Sequence, residues 1–246
     1  MRIETQSMFE LAGTSNPSER AHVYFADYCN AYAEEFSKII MGANSVIEMK
    51  GNSTLNFFVN TQIDMYAGSK IILTENSHLY DCGISHPIEW NIVGGENGRY
   101  VFEPNCQPTE QGPFVNTISN GGHMEFSDNS SILMGNSCRM VFDGTDSYLK
   151  LNPGTSVILG ENSSLEFING AYLDASGCMF SGVGSNVWEG LKFDNAGAST
   201  VINNCTFTGA RNPVYITNDA SHSFEKKVIE NNTFYLPVAP DTANKL

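Results

Sequence analysis

The chain has 246 residues, 41% of them hydrophobic and only 16% charged, with 13 Lys and Arg and a net charge of −14. So acidic and base-poor a surface repels phosphate backbones and anionic membranes, which argues against nucleic-acid and membrane partners. No run of about 18 apolar residues occurs, so no membrane-spanning helix is predicted.

Residues 1–35 read as a leader and N-terminal cap. Gly13, Ser15, Asn16 and Pro17 lie in a stretch without periodicity, and the aromatic and Ala-rich residues 21–35 suit a short helix or an irregular first coil. Met1-Arg-Ile-Glu-Thr lacks the apolar core of a signal peptide. A secreted origin therefore implies a leader already removed, and the chain reads as a piece of something longer.

From Phe36 the sequence becomes periodic. Blocks open at Asn44-Ser-Val-Ile47, Asn52-Ser-Thr-Leu55, Asn60-Thr-Gln-Ile63, Gly68-Ser-Lys-Ile71 and Asn76-Ser-His-Leu79, eight residues apart. Aliphatic residues at the fourth and sixth positions give the two-residue alternation of a strand with one buried face. The Asn, Gly, Ser and Thr between them favour tight turns, so each octad reads as a short strand plus a polar, outward corner. One such strand cannot bury its inner face alone, whereas stacked coils can. Three octads per coil is the favoured reading, and a flatter coil of two octads is the alternative over the first part.

Residues 84–119 interrupt the pattern with Pro87, Pro104, Pro108 and Pro113 among several glycines, and read as an excursion. Octads resume over 120–177, and Gly154–Leu165 closely resembles Gly68–Leu79. Over 178–236 the period lengthens to 27, carried by Phe180, Phe207 and Phe234, by Cys178 and Cys205, by Val187 and Val214, and by Trp188 and Tyr215. Inward stacks of Phe and Cys are expected. Residues 237–246 are a polar tail.

The segments Asn203-Asn-Cys-Thr-Phe-Thr-Gly209 and Glu230-Asn-Asn-Thr-Phe234, with Trp188-Glu-Gly190, resemble coils of right-handed parallel β-helix proteins, the pectate-lyase-like superfamily. The Gly-Ser and Asn-Ser octads resemble bacterial secreted and cell-surface β-helix repeat proteins. The resemblance covers roughly 36–236. It implies an all-β, right-handed parallel β-helix of roughly three-faced coils forming one domain.

It says less about activity, because this fold hosts lyases, hydrolases, tailspikes and adhesins. Lyases of this group set several Asp residues around calcium beside a Lys or Arg base, and glycosidases use paired carboxylates. The matching candidates here are Arg211, Lys192, Asp194 and Asp219. For sugar stacking the candidates are Trp90, Tyr100 and Phe102 in the excursion and Trp188 and Tyr215 in the late coils.

The six cysteines form no CxxC pair, and no metal-ligand pattern is present. Cys82 and Cys106 flank the excursion and are positioned for a bridge in an oxidising compartment. The glycosylation-type sequons at Asn52, Asn129, Asn162, Asn204 and Asn231 read as structural asparagines, at a left-handed corner or in a ladder.

The expectation is a non-catalytic, secreted or cell-surface, adhesin-like scaffold contacting a glycan or a partner protein, without a cofactor. The alternatives are a polysaccharide lyase or glycoside hydrolase, with calcium in the lyase case, and a tailspike-type fragment.

Overall fold

In a computed structural model, the described residues are 1–3, 8–11, 21–26, 28–34, 36–58, 61–66, 69–81, 91–94, 99–102, 115–127, 129–184, 187–197, 199–217 and 228–235. They form strands and turns only, with no helix. Strands are numbered β1–β27 in chain order.

The first face is a ten-stranded parallel sheet: β1 (Arg2–Ile3), β4 (Asn30–Ala33), β7 (Thr54–Phe57), β10 (His78–Asp81), β12 (Arg99–Phe102), β15 (Ser131–Met134), β18 (Ser156–Leu159), β21 (Met179–Gly182), β24 (Thr206–Thr208) and β27 (Thr233–Tyr235). The second face has nine: β3 (His22–Phe25), β6 (Val46–Met49), β9 (Lys70–Leu73), β11 (Asn91–Gly94), β14 (His123–Phe126), β17 (Tyr148–Leu151), β20 (Tyr172–Ser176), β23 (Val201–Asn203) and β26 (Val228–Glu230). The third face comes in two pieces. One holds β2 (Met8–Leu11), β5 (Lys38–Met41) and β8 (Gln62–Met65). The other holds β13 (Val115–Ile118), β16 (Arg139–Asp143), β19 (Ser164–Ile168), β22 (Gly190–Asp194) and β25 (Val214–Thr217). The molecule is thus a parallel β-solenoid with three sheet faces.

Register fixes the coil length. Thr54 pairs with His78, Gln62 with Lys38 and Val46 with Lys70, each 24 residues apart. Three octads therefore make one coil, and the two-octad coil is excluded. The fourth- and sixth-position residues of the octads fill the interior: Ile47, Met49, Leu55, Phe57, Ile63, Met65, Ile71 and Leu73 are all buried. Phe180, Phe207 and Phe234 stack one coil apart at 4.8 and 5.0 Å between ring centroids, as their 27-residue spacing requires. Cys178 and Cys205 occupy successive coils of the same ladder, buried and free.

Corners are built by turns rather than by loops. The Thr74 carbonyl accepts from the Ser77 N–H at 3.0 Å, and Glu75 and Asn76 between them have φ of 52° and 62°. Lys50 and Ser53 close the same turn around Gly51 and Asn52 at 58° and 61°. Two left-handed central residues define a type I′ turn, which selects Asn and Gly. All five sequon asparagines lie at left-handed positions, as expected: Asn52, Asn129, Asn162, Asn204 and Asn231.

Four expectations need correction. The described strands within 1–35 pair with the next coils (β1 with β4, β2 with β5, β3 with β6), so they begin the ladder, and His22–Phe25 and Asn30–Ala33 are strand where a helix or irregular coil was expected. Within 84–119, strands β11, β12 and β13 continue the three faces, so the excursion is narrower than expected. The Ser and Thr of the corners face inward: Ser45, Ser53, Thr61, Ser69 and Ser77 are all buried, whereas the preceding Asn52 and Asn76 are exposed. Two of these hydroxyls reach a carbonyl of the coil below, Thr61 Oγ1 to Ala33 at 3.3 Å and Ser77 Oγ to Met49 at 3.1 Å, whereas those of Ser45 and Ser53 are buried without a hydrogen-bond partner among the described residues.

The fourth correction concerns the late coils. Trp188 bridges to Ala210, and Tyr215 pairs with Lys192. The 27-residue spacing does not stack Trp188 on Tyr215, nor Val187 on Val214, which pairs with Leu191. The corner leading into β25 is shorter than the one leading into β22, so the third face advances by 23 residues where the other two advance by 27.

Candidate functional site

Of the residues singled out for catalysis, Lys192 and Arg211 are each paired with a different glutamate. Lys192 and Asp194 alternate outward along β22, and Arg211 sits in the corner after β24. Arg211 Nη1 donates to Glu189 Oε1 at 2.6 Å, one coil below. Lys192 Nζ lies 3.4 Å from Glu166 Oε1. Asp219 is outside the described residues.

Glu166 is the better-built group, and sequence reasoning missed it. Its carboxylate accepts a two-point contact from Arg139 (Nε at 3.0 Å, Nη2 at 2.5 Å) and a hydrogen bond from Ser164 Oγ at 2.8 Å. Burial works to raise its pKa, but Arg139, Ser164 and Lys192 together outweigh that and hold it down at about 2.

The same diagonal recurs. Lys38 Nζ meets Asp64 Oδ2 at 2.5 Å, and His22 Nε2 meets Glu48 Oε2 at 3.0 Å. In each pair the base opens a strand and the acid lies two positions into the strand of the next coil, a near-diagonal neighbour on the sheet. The legible signal was a base followed 26 or 27 residues later by an acid.

Of the aromatic candidates, Tyr100 and Trp188 are fully buried. Tyr100 donates to Asp81 Oδ2 at 2.5 Å, and Asn116 Nδ2 reaches the same oxygen at 2.9 Å. Trp188 Nε1 donates to the Thr208 carbonyl at 2.9 Å. Both rings belong to the interior and offer no face to a ligand. Tyr215 is exposed on the third face. Trp90, Cys82 and Cys106 lie outside the described residues, and Phe102 is described only as part of β12. Among the described residues no three of His, Cys, Asp and Glu gather as a metal site.

Two surface features remain. On the second face His123, Tyr148 and Tyr172 stack at 4.8 and 5.1 Å, and Tyr148 donates to Glu125 Oε1 at 2.6 Å. Burial and that bond push the Tyr148 hydroxyl pKa far above its usual value. Tyr148 thus has a ring against each of its faces. Beside them is a polar hollow of about 340 Å³ with Asn120, Asp143 and Asp146 in its wall.

The other feature is the coil containing β4. Its corner turns, Ala26–Cys29 and Glu34–Ser37, close with N–H to carbonyl bonds of 3.1 Å each. Tyr28 and Phe36 occupy the left-handed position of these turns, with φ of 59° and 58°. Ten of the fourteen non-glycine left-handed residues described are Asn, and these two are the only aromatic ones. They are 76% and 58% exposed, and Tyr32 on the strand between them is 39% exposed. A hollow of about 500 Å³ opens here, lined by Met1, Asn30, Tyr32, Glu34 and Phe58.

No protein-family model, curated protein or solved structure matches the chain.

Proposed function

We propose that the protein is a non-catalytic, secreted or cell-surface scaffold of adhesin-like type, which presents the outside of its solenoid to a glycan or a partner protein. One observation carries this reading: the cross-coil ion pairs occupy the best-built outer carboxylates. Glu166, held at about 2, stays ionised at neutral pH. A general acid needs a pKa near the working pH, and a general base needs a free lone pair aimed at substrate. Glu166 meets neither condition, because Arg139, Ser164 and Lys192 already crowd it. The Lys192 and Arg211 cations are likewise engaged in ion pairs. A right-handed coil, kinship with pectate-lyase-like proteins and a bacterial surface origin belong to the same reading, supported by the corner and NNCTF-type motifs of the sequence.

The test is turnover on a panel of acidic and neutral polysaccharides, with and without calcium, together with the state of association in solution. The expected result is no product release under either condition and no trimer. Product release that disappears in Lys192→Ala or Arg211→Ala would replace this reading with a lyase or hydrolase. A stable trimer would favour the tailspike alternative.

A further inference from the structure

We propose that the ring row Tyr28, Tyr32 and Phe36, with the hollow beside it, is a docking surface for a neutral oligosaccharide. This rests on the non-catalytic binding reading above and names its ligand class and its place.

The argument begins with register. Asn30 pairs with Thr54 and Tyr32 with Asn56, so each residue of this coil lies beside the residue 24 later. Tyr28, Tyr32 and Phe36 therefore correspond to Asn52, Asn56 and Asn60 of the next coil. Three asparagines in one coil are three aromatic rings in its neighbour, and the corners that hold Tyr28 and Asn52 close with the same N–H to carbonyl bond of 3.1 Å, both residues being left-handed. Asn is the residue that tolerates a left-handed corner, and a bulky ring there is strained. Tyr28 and Phe36 hold that conformation while leaving most of their surface in water. Neither ring gains the burial that would offset the strain. Strain retained on an exposed side chain points to a role in binding rather than in folding.

The surroundings select the ligand. None of the three rings stacks on another ring among the described residues, unlike those of the His123–Tyr148–Tyr172 row, and all three are exposed. Between and beside them stand hydrogen-bonding side chains. Asn30 accepts from Thr54 Oγ1, leaving its amide N–H groups for other partners, and Glu34 and Tyr32 line the hollow with it. Apolar ring faces interleaved with polar groups match the C–H faces and hydroxyl edges of a pyranose chain. A purely apolar partner would dehydrate the Asn30 amide without replacing its hydrogen bonds. The net charge of −14 selects against acidic polysaccharides. The row follows one strand and its two corners, at most about 26 Å end to end.

The test compares wild type with the triple variant Tyr28→Asn, Tyr32→Asn, Phe36→Asn, which rewrites this coil in the residues of the next one. Calorimetric titration uses cellohexaose, maltohexaose and mannohexaose as neutral probes and hexagalacturonate as the acidic control. Thermal unfolding is recorded alongside. The expected result is binding of at least one neutral hexaose, a loss of affinity of tenfold or more in the triple variant, and an unfolding midpoint that is unchanged or higher. The single variants Tyr28→Asn and Phe36→Asn show the same direction and keep the test readable if the triple variant fails to fold.

Binding that survives the substitutions would overturn this site while leaving the binding reading standing. Binding of hexagalacturonate alone, or of no hexaose, would overturn the ligand class. Turnover in the polysaccharide assay would instead overturn the reading on which the site rests.

Discussion

A single backbone angle decides much of this fold. The corner residue must accept a positive φ, and Asn does so with little strain because its short side chain bonds locally. Asn52 sits at φ 61° with its side chain outside, so its replacement isolates this effect from packing. Asn52→Ala is expected to destabilise by about 1 kcal/mol, and Asn52→Gly to change stability by only a few tenths. Urea unfolding of the two variants checks this, and equal losses would remove the left-handed requirement from the account. Such corners were readable in the sequence from the Asn-Ser and Gly-Ser pairs alone. The inward turn of the following Ser was not, because a small hydroxyl fits both a solvated bend and a buried one. The neighbouring coil supplies a carbonyl to Thr61, Ser77 and Thr155, but Ser45 and Ser53 are buried without one, so the stacking of the coils and not a hydrogen bond is what turns these small residues inward.

At the scale of the strand, the octad is a portable unit rather than a marker of position. Gly68–Leu79 and Gly154–Leu165 resemble each other closely, yet the first runs through β9 to β10 (second face to first) and the second through β18 to β19 (first face to third). Local alternation was therefore legible in full, while the assignment of octads to faces required counting through an irregular stretch. For the same reason the candidate ion pairs were missed. Arg139 and Glu166 are remote in sequence and become diagonal neighbours only once β16 pairs with β19. Tyr100 and Trp188 were misread for a related cause: their polar atoms find buried partners in Asp81 and the Thr208 carbonyl, which no local pattern announces.

The Arg139–Glu166 clip makes a prediction at this scale. The folded pKa of Glu166, about 2, lies below its ordinary 4.5, so its contribution to stability is present above about pH 4.5 and is lost as pH falls toward 2. Because Arg139 is nearly half exposed, screening reduces the contribution to on the order of 2 kcal/mol. Wild type should exceed Glu166→Gln by that amount at pH 6 and converge with it near pH 2. A difference independent of pH across that interval would show that the ion pair is not its source.

The whole molecule is a one-dimensional stack in which each coil touches mainly the coils above and below. That arrangement separates roles along its length. The interior of the described coils is built of apolar and hydroxyl ladders, the outer faces are braced by diagonal pairs of a basic and an acidic side chain, and the coil containing β4 alone sets aromatic rings at its left-handed corners among the described residues. A change at that surface reaches the rest of the solenoid only through its neighbours, which is why the ring row can be rewritten without unfolding the remainder.

The proposals above depend on coils that stay in register through the excursion. Thr54 is joined to Ser156 on the first face by four pairings, through His78, Arg99 and Ser131. The direct measurement is a pulsed dipolar distance between spin labels attached at positions 54 and 156 by a chemistry that spares the native cysteines. Four parallel steps predict a narrow distribution centred near about 20 Å. A broad distribution, or one centred beyond about 35 Å, would contradict the in-register stack.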